Sequence, residues 1–371
     1  MQNLILDGTK LPWHKDRVEA WLRGERIPPI TIDCSLSTRC TYRCKWCYGL
    51  LQTNTWVNLP RDVIMRFLDD AAEIGVKAIS FVSDGESTCN PHLYEAILRG
   101  KSNGLDMALG TNGYLLRDDR LEDILPALTY LRFNFSAADP KRYSEIHGCK
   151  QECFHKVVKT IENCVAIKRK NKLPVTLGLQ MVLTPDEADQ VLPLARLGKE
   201  LGVQYLVIKH CSDDEKETLR KKYGFHYSQY QSLIPLLKEA EKLSTETYQV
   251  TVKWSKILSQ GRRKYSRCYG PVFIPQFSGS GLVAPCGMLF APRFKDYHIG
   301  YLQETSFKEL WQSDRYWQVM RWLTEGRLDP RTDCGTWCLQ EKCNEYLWDL
   351  KHGKIVMKEP EGEPPLHKNF V

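Results

Sequence analysis

Short apolar runs alternate with amphipathic stretches along the first two thirds of the chain. The apolar runs are rich in β-branched and aromatic residues and are predicted as strands. They cover residues 30–36, 78–82, 106–110, 130–136, 175–183 and 204–209. Between them, apolar residues recur at helical spacing near residues 60–75, 91–103, 118–126, 154–170 and 185–201. The alternation predicts an α/β fold with a parallel sheet. Six βα units are too few for a closed eight-stranded barrel, so we expect a partial (β/α)6 barrel.

The pattern changes after about residue 215. A helical segment over residues 226–243 leads to short strands rich in Gly, Pro and aromatic residues over 269–301. Helices follow near residues 306–325 and 340–352, and together these elements predict a smaller α+β domain. We therefore divide the chain into a helical lead, a barrel, a linker helix with the smaller domain, and a mobile tail rich in proline and charge. Their bounds are residues 1–29, 30–215, 216–355 and 356–371.

Composition supports an ordinary globular protein. Of the 371 residues, 42% are hydrophobic and 26% are charged, so the chain can bury one large hydrophobic core and a smaller second core. No apolar run approaches the roughly 18 residues that a membrane span needs, and the first residues lack the basic-then-apolar order of a signal peptide. A cytoplasmic location is predicted. The 14 cysteines then favour reduced thiols and metal binding over disulfides.

The net charge of +7 is modest for a chain of this length. Two short basic runs, residues 168–172 and 262–264, are more typical of solvated surfaces than of nucleic-acid footprints. We therefore expect neither a membrane nor a nucleic-acid partner.

Three cysteines, Cys40, Cys44 and Cys47, lie close together directly after the first predicted strand. The carboxyl ends of the strands are where parallel α/β sheets carry their chemistry. A four-iron cluster normally takes four thiolates, so three would leave one iron open to a reacting ligand. A zinc site with a distant fourth ligand is the alternative, although zinc sites are more often built from two separated cysteine pairs.

The spacing C-x3-C-x2-C after a first strand, with Trp46 before the last cysteine, resembles the radical S-adenosylmethionine (radical SAM) enzymes. In that family the motif binds a 4Fe-4S cluster whose open iron chelates the amino and carboxylate groups of S-adenosyl-L-methionine. The resemblance continues at residues 83–86, Ser-Asp-Gly-Glu, which stand where the family has a Gly-Gly-Glu motif. Asp84 replaces the first glycine, so this match is partial. Residues 111–113, Thr-Asn-Gly, close the third strand in the family's manner.

The resemblance also implies a set of side chains around S-adenosyl-L-methionine. Glu86 would receive the amino group of the cofactor, and polar residues at the end of the fourth strand would contact its ribose. The expected cofactor contacts are Trp46, Tyr48, Gly85, Glu86, Asn112, Asn134, Ser136 and Gln180. Plain alternatives exist, since Glu86 could be an exposed loop carboxylate and Trp46 could belong to the core. Polar residues at strand ends commonly just satisfy backbone groups.

A second group of cysteines lies in the smaller domain. Residues 281–286 form a G-x4-C element downstream of Cys268, which resembles the SPASM auxiliary-cluster domain or its shorter twitch form. A full SPASM domain carries seven cysteines and two extra clusters, whereas this region has five cysteines. The resemblance therefore implies one auxiliary 4Fe-4S cluster, for electron transfer or structure. Its expected ligands are Cys268, Cys286, Cys334 and Cys338, with Cys343 either in the core or in place of Cys338.

Cys211 is the candidate catalytic residue. It ends the sixth predicted strand, so we expect it at the barrel mouth beside Lys209 or His210. A thiol there could donate a hydrogen atom to a substrate radical, as radical epimerases require. A structural role is the alternative.

The resemblance implies an enzyme that reductively cleaves S-adenosyl-L-methionine to a 5′-deoxyadenosyl radical and abstracts hydrogen from an unactivated C–H bond. We expect it to modify a peptide or protein side chain by oxidation, crosslinking or epimerisation. The alternative is a dehydrogenase or epimerase of a sugar or an aminocyclitol, and a non-enzymatic zinc-binding scaffold is the remote alternative. Besides the substrate, an electron donor such as flavodoxin or ferredoxin is the expected partner.

Overall fold

One mixed sheet runs through the molecule. The computed structural model describes residues 4–6, 8–52, 56–336, 338–358 and 360–371, and ten strands within them form this sheet. The strands are β1 (Thr31–Cys34), β2 (Ala78–Phe81), β3 (Asp106–Thr111), β4 (Leu128–Asn134), β5 (Thr176–Leu183), β6 (Tyr205–His210), β7 (Gln249–Val252), β8 (Gln276–Phe277), β9 (Leu282–Ala284) and β10 (Gly300–Tyr301).

The sheet is parallel from β1 to β7, and these seven strands pair in chain order. On the other side of β1 the sheet continues through β8, which is parallel to β1, and then through the antiparallel strands β9 and β10. Strands β7 and β10 are the two edges, so the sheet does not close into a barrel. The two parts of the chain therefore share one sheet.

Helices connect the parallel strands and cover the sheet. They are α1 (Lys15–Leu22), α2 (Arg61–Ile74), α3 (Leu93–Ser102), α4 (Leu121–Ile124), α5 (Pro140–His147), α6 (Glu152–Asn171), α7 (Val191–Leu201), α8 (Thr218–Tyr223), α9 (Ile234–Glu241), α10 (Trp254–Leu258), α11 (Phe307–Gln312), α12 (Asp314–Glu325) and α13 (Glu341–Lys351). On α2 the apolar face carries Phe67, whose ring contacts Phe277 and Phe307 at centroid distances of 5.6 Å each. These rings bind the barrel to the C-terminal domain.

Helix α5 ends next to the cysteine loop that follows β1. Its first turn is capped by Asp139, whose side chain accepts a hydrogen bond from Arg142 N at 2.9 Å, with Pro140 at the first helical position. It ends at Gly148, which has φ of 58°. A Cβ there would lie 2.4 Å from the carbonyl oxygen of Arg43, so only glycine allows the loop to approach this closely.

All six predicted barrel strands are confirmed, and the partial barrel is confirmed as the fold. The sheet is longer than predicted, however, because β7 adds a seventh parallel strand beside β6. Its four residues lie within the segment that the sequence pattern placed in the linker. Only Val250 and Val252 of this strand are buried, which is too short an alternation to predict a strand with a parallel partner.

The predicted mobile tail is wrong for the last residues of the chain, which pack against the amino ends of the strands. Phe370 is 7% exposed and contacts the ring of Tyr130 at 4.9 Å. The Thr31 hydroxyl donates to Asn369 O at 2.6 Å, and Val371 N donates back to the same hydroxyl at 3.2 Å. The prolines and charges that suggested mobility precede this apolar end, whose burial orders the segment.

None of the helices in the described part of the chain is both long and apolar enough to cross a membrane.

Candidate active site

A cavity of about 410 Å³ lies inside the partial barrel. Inward-facing residues of the parallel strands line it, together with the loop after β1. All three cysteines of that loop, Cys40, Cys44 and Cys47, face this cavity. Cys338 of the C-terminal domain lines the same cavity. The fold therefore brings residues of both predicted cluster sites to one space.

Backbone hydrogen bonds hold the cysteine loop in place. Arg43 N donates to His147 O and Lys45 N donates to Ile146 O, each at 3.0 Å, so the loop is tied to the end of α5. Burial raises the pKa of the Cys40 thiol to about 12, and burial followed by repulsion from Cys47 and Cys40 raises the pKa of Cys44. Thiolates at these positions need a cation to stabilise them, and an iron cluster supplies one.

His147 was not predicted from the sequence, and it contacts a cysteine of the loop. Its Nδ1 lies 3.3 Å from Cys44 Sγ, and its Nε2 lies 3.1 Å from the backbone N of Ser136. Because the Ser136 N–H can only donate, Nε2 accepts, and the ring proton is assigned to Nδ1, which donates to the sulfur. Burial lowers the pKa of His147 to about 3, so the ring is neutral. No motif around this residue signals the contact.

Glu86 is buried, which rules out the exposed loop carboxylate that was its alternative. Its carboxylate accepts hydrogen bonds from Asn112 N at 2.7 Å, from Thr111 Oγ1 at 2.8 Å, and from the N and Oγ1 of Thr88 at 3.1 and 2.9 Å. Burial still raises its pKa above the ordinary value. Gly85 precedes it with φ of 71°, and a Cβ there would lie 2.2 Å from Ser37 O. The loop therefore fixes one carboxylate at the cavity wall.

Asp84, the departure from the Gly-Gly-Glu motif, has a structural partner in the C-terminal domain. Its carboxylate accepts from Ser278 Oγ at 2.6 Å and from Gly279 N at 2.9 Å. Both donors follow β8 in the chain. Asp84 thus joins the end of β2 to the C-terminal domain, which a glycine could not do.

Most of the remaining predicted cofactor contacts also line the cavity. Asn134 and Gln180 face it from β4 and β5, with Gln180 Nε2 donating to Asn134 Oδ1 at 3.0 Å. Trp46 and Tyr48 line it as well. The indole N–H of Trp46 is buried without a hydrogen-bond partner among the described residues, which suits a residue that contacts a ligand.

Ser136 and Cys211 do not line the cavity. Ser136 is fully buried, and its hydroxyl accepts from Val182 N at 3.2 Å, so it satisfies a backbone group as its alternative explanation states. Cys211 is also fully buried, and its thiol donates to Ser212 O at 3.3 Å. Ser212, but not Cys211, is among the residues that line the cavity. The geometry gives no support to Cys211 as a hydrogen-atom donor.

Four cysteines of the C-terminal domain surround a second, small cavity. They are Cys268, Cys286, Cys334 and Cys338. Cys343 is buried on α13 and does not line this cavity, which agrees with a place in the core. In the described residues no three His, Cys, Asp or Glu side chains stand at the spacing for one metal ion. A four-iron cluster takes one thiolate at each iron and spans more widely placed ligands than a single ion does.

Arg263 belongs to the basic run 262–264, which was expected at the solvated surface, and that expectation is wrong for this residue. Its side chain is 3% exposed and lines the small cavity beside the four cysteines. It pairs with Glu341 Oε2 at 3.2 Å and donates to Pro330 O at 2.6 Å, while its Nη2 is buried without a partner in the described chain. Although burial opposes the charge, Cys334 and other neighbours raise the pKa of Arg263. A buried cation with a free N–H fits a cluster that carries negative charge.

Two family models match the chain. The model of the radical SAM superfamily matches residues 34–197, and that of the SPASM iron-sulfur cluster-binding domain matches residues 271–344. The chain is 23% identical over 355 residues to a tungsten-containing aldehyde ferredoxin oxidoreductase cofactor-modifying protein of Pyrococcus furiosus, covering 87% of this chain and 95% of that protein. It is 24% identical over 315 residues to an AdoMet-dependent heme synthase of Methanosarcina barkeri, covering 79% and 85%.

Solved structures share the fold. SuiB of Streptococcus suis bound to S-adenosylmethionine superposes with a TM-score of 0.64 and 16% identity, covering 83% of this chain and 72% of that one. Native anSMEcpe with bound AdoMet and the Kp18Cys peptide gives a TM-score of 0.59 and 16% identity, covering 88% and 97%. At these identities the likeness establishes the architecture of the sheet and of the C-terminal domain.

Proposed function

Because the chain belongs to the radical SAM superfamily and carries a SPASM domain, we propose that it oxidises its substrate at a C–H bond, with a second cluster as the electron acceptor. Its cofactors are S-adenosyl-L-methionine and 4Fe-4S clusters. We assign the first cluster to Cys40, Cys44 and Cys47, and the auxiliary cluster to Cys268, Cys286, Cys334 and Cys338. When bound, the first cluster and S-adenosyl-L-methionine supply a 5′-deoxyadenosyl radical that removes a hydrogen atom from the substrate.

The observation that carries this proposal is the shared cavity. The three cysteines of the first site and Cys338 of the second line one space, so a substrate held there has a cluster site at each of two places on its wall. Cys268, Cys286, Cys334 and Cys338 would hold a cluster that could accept an electron from the substrate radical, which would favour an oxidised product. An epimerase would instead need a hydrogen donor, and Cys211 does not line the cavity.

The side chains around the cavity have separate tasks in this proposal. The buried carboxylate of Glu86 accepts the amino group of S-adenosyl-L-methionine, and Asn112, which donates to Cys40 Sγ at 3.7 Å, keeps the first cysteine in place. Asn134 and Gln180 offer polar atoms to the ribose, and Trp46 offers its unpartnered N–H and its ring. His147 holds Cys44 through the N–H on Nδ1. The walls exclude water from the reacting atoms.

The substrates named for similar proteins fall into two classes, peptides and small molecules. A peptide or protein side chain was the expectation from the sequence, and SuiB and anSMEcpe have been solved with peptides bound, but those likenesses extend to the fold alone. The relatives from Pyrococcus furiosus and Methanosarcina barkeri are named for a cofactor and for heme. We propose a small molecule that enters the barrel, in preference to a peptide, because the cavity wall carries charges that a neutral peptide would leave unpaired.

We also propose a cytoplasmic location and a small redox protein, such as flavodoxin or ferredoxin, as the electron donor. Both follow from the oxygen-sensitive clusters that the two cysteine groups are expected to hold.

Anaerobic reconstitution tests the proposed function. We expect about eight irons per chain, in keeping with two four-iron clusters, and formation of 5′-deoxyadenosine after addition of dithionite and S-adenosyl-L-methionine. Cys343→Ala should retain the iron of the unsubstituted protein, whereas Cys334→Ala should lose up to about half of it. A colourless protein that binds zinc and leaves S-adenosyl-L-methionine intact would refute the proposal.

A further inference from the structure

Basic side chains gather on the wall of the barrel cavity. Arg132 faces it from β4, Lys209 from β6, Lys253 from the residue after β7, and Lys256 from α10. The pairing register places Arg132 between Gly110 of β3 and Gly178 of β5. Gly110 leaves room for the guanidinium, since a Cβ there would lie 3.1 Å from Arg132 Nη2, whereas Gly178 leaves room for the ring of Tyr205. The sheet is therefore built to hold a large cation at this point.

Three of these cations, Arg132, Lys209 and Lys256, are not paired with an acidic side chain of the described residues. Within the described residues, neither Arg132 nor Lys209 nor Lys256 has a carboxylate at ion-pair distance, and Arg132 Nε is buried without a hydrogen-bond partner. Asp33 interacts electrostatically with Arg132 and Lys209, and burial raises the pKa of its carboxyl to about 7. One carboxyl that is partly protonated near neutral pH cannot balance this group.

Repulsion among the basic side chains affects the pKa of Lys209. Burial, followed by repulsion from Lys256, Arg132 and Lys253, lowers the pKa of Lys209 well below its ordinary value. Like charges packed inside a protein destabilise one another, and a bound anion removes that repulsion. Other carboxylates at the cavity do not provide it, because Glu86 is held by Thr88, Thr111 and Asn112. Glu341 is held by Arg263 and Tyr265, and its attraction for Lys256 does not offset the burial that lowers the pKa of this lysine.

We propose that the barrel cavity binds a small substrate with at least two anionic groups, carboxylates or phosphates, held by Arg132, Lys209 and Lys256. The guanidinium provides a two-pronged contact to either kind of oxyanion, and the ammonium groups provide point charges. This inference rests on the proposed function, because it assigns the substrate that the radical attacks.

Probe binding tests this assignment on the reconstituted protein saturated with S-adenosyl-L-methionine and without reductant, so that the carboxylate of the cofactor is already bound. The probes are tricarballylate for carboxylates, pyrophosphate for phosphates, and the triethyl ester of tricarballylate as the uncharged match. Dissociation constants are measured by anaerobic calorimetry. The variants are Arg132→Met, Lys209→Met and Lys256→Met, which keep an unbranched stem without charge, and the control is Lys238→Met at an exposed position of α9.

We expect at least one charged probe to bind about tenfold more weakly to each of the three variants, while the control binds it as the unsubstituted protein does. Tighter binding of tricarballylate would identify carboxylates, and tighter binding of pyrophosphate would identify phosphates. Equal affinity of the unsubstituted protein and all three variants for both charged probes would overturn the proposal. So would an ester that binds as tightly as tricarballylate.

Two further measurements keep the test decisive. If a methionine variant does not fold, Lys209→Arg, which keeps the charge, should retain probe binding, and probe affinity for the unsubstituted protein should fall as salt is raised. An affinity that is independent of salt would contradict the assignment. Formation of 5′-deoxyadenosine under dithionite is recorded separately. A protein that forms 5′-deoxyadenosine but binds neither charged probe would refute only the anionic substrate. A protein that binds a charged probe but forms no 5′-deoxyadenosine would refute the proposed function.

Discussion

The barrel cavity and the small cavity of the C-terminal domain are both lined by cysteines. They differ in volume and in whether the basic side chains on their walls are paired with carboxylates. In the C-terminal domain Arg263 is paired with Glu341 at 3.2 Å, and Tyr265 donates to the same carboxylate at 2.6 Å. Four cysteines surround this cavity. In the barrel, three cysteines share a cavity of about 410 Å³ with Arg132 and Lys209, which have no carboxylate at ion-pair distance in the described chain.

This difference in charge pairing suggests that the two groups of cysteines hold clusters with different roles. A closed site with four thiols and paired charges suits a cluster that passes electrons or supports the fold. An open site with three thiols, a fixed carboxylate and unpaired cations suits a cluster that works on ligands. Asp84, which joins the end of β2 to Ser278 at 2.6 Å, connects the two sites and fixes one relative to the other.

The largest expected effect is on the cleavage of S-adenosyl-L-methionine, and it distinguishes the two cysteine groups. Cys40→Ala should abolish formation of 5′-deoxyadenosine, because an iron of the first cluster loses its ligand, while the iron of the auxiliary site remains. Cys334→Ala should reduce iron at the auxiliary site and still permit cleavage of S-adenosyl-L-methionine. Cleavage is measured by chromatography of the anaerobic reaction.

A buried cysteine outside both groups is the control for this pair. Cys164→Ala, on α6, should keep both the iron and the cleavage activity. Formation of 5′-deoxyadenosine by Cys40→Ala would contradict these two roles. So would a loss of 5′-deoxyadenosine in Cys334→Ala as complete as that expected in Cys40→Ala.

The next effect tests whether charge is paired in the C-terminal domain. Arg263→Met should lower the free energy of unfolding of the iron-free protein by about 3–5 kcal/mol, because Glu341 would be left buried without its cation. The double variant Arg263→Met with Glu341→Met should recover most of this loss. Urea unfolding under reducing conditions measures both, and a loss below about 1 kcal/mol in the single variant would mean that the pair is not essential there.

A pH dependence tests the barrel side of the comparison. The pKa of Asp33 is raised to about 7 in the folded protein, chiefly by burial, and is about 3.9 in an unfolded chain. Between these values the folded state binds more protons, so the free energy of unfolding should fall as the pH rises from about 4 to about 7, by at most about 4 kcal/mol. Asp33→Asn should remove this fall. The measurement is urea unfolding at pH 5 and pH 8, and equal slopes for both proteins would contradict a buried, poorly compensated carboxyl.

The smallest effect concerns the hydrogen bond at Cys44. His147→Phe should lower the reduction potential of the first cluster by roughly 20–60 mV, the one-electron equivalent of a hydrogen bond of about 0.5–1.5 kcal/mol. The potential of the auxiliary cluster should not change. His155→Phe, at an exposed position of α6, is the matched control. An unaltered potential in His147→Phe would show that the N–H contributes nothing to the cluster.

Residues that depend on local pattern were predictable from the sequence. The cysteine spacing and the polar residues at strand ends follow from short motifs and from the rule that parallel strands present their carboxyl ends at one edge. Glu86, Asn112, Asn134 and Gln180 do line one cavity. The same rule could not distinguish Ser136 from these four residues. Its hydroxyl accepts a hydrogen bond from Val182 N at 3.2 Å, a contact that the sequence does not show.

Residues that depend on packing between distant elements were not predictable. His147 reaches Cys44 only because Gly148 lets α5 approach the loop, and Arg263 shares its cavity with Cys334 and Cys338, which are distant in the chain. Strand β7 and the buried Phe370 belong to the same class, since each is stabilised by partners elsewhere in the fold. Periodicity carries no information about such partners.

The two cysteine groups are proposed to hold clusters of different kinds, one open to S-adenosyl-L-methionine and one closed. Electron paramagnetic resonance of the dithionite-reduced, reconstituted protein tests it directly, with S-adenosyl-L-methionine added stepwise. We expect a change on addition only in the signal that is missing from the Cys40→Ala variant. The signal that depends on Cys268, Cys286, Cys334 and Cys338 should stay the same. A change in the second signal, or no change in the first, would contradict it.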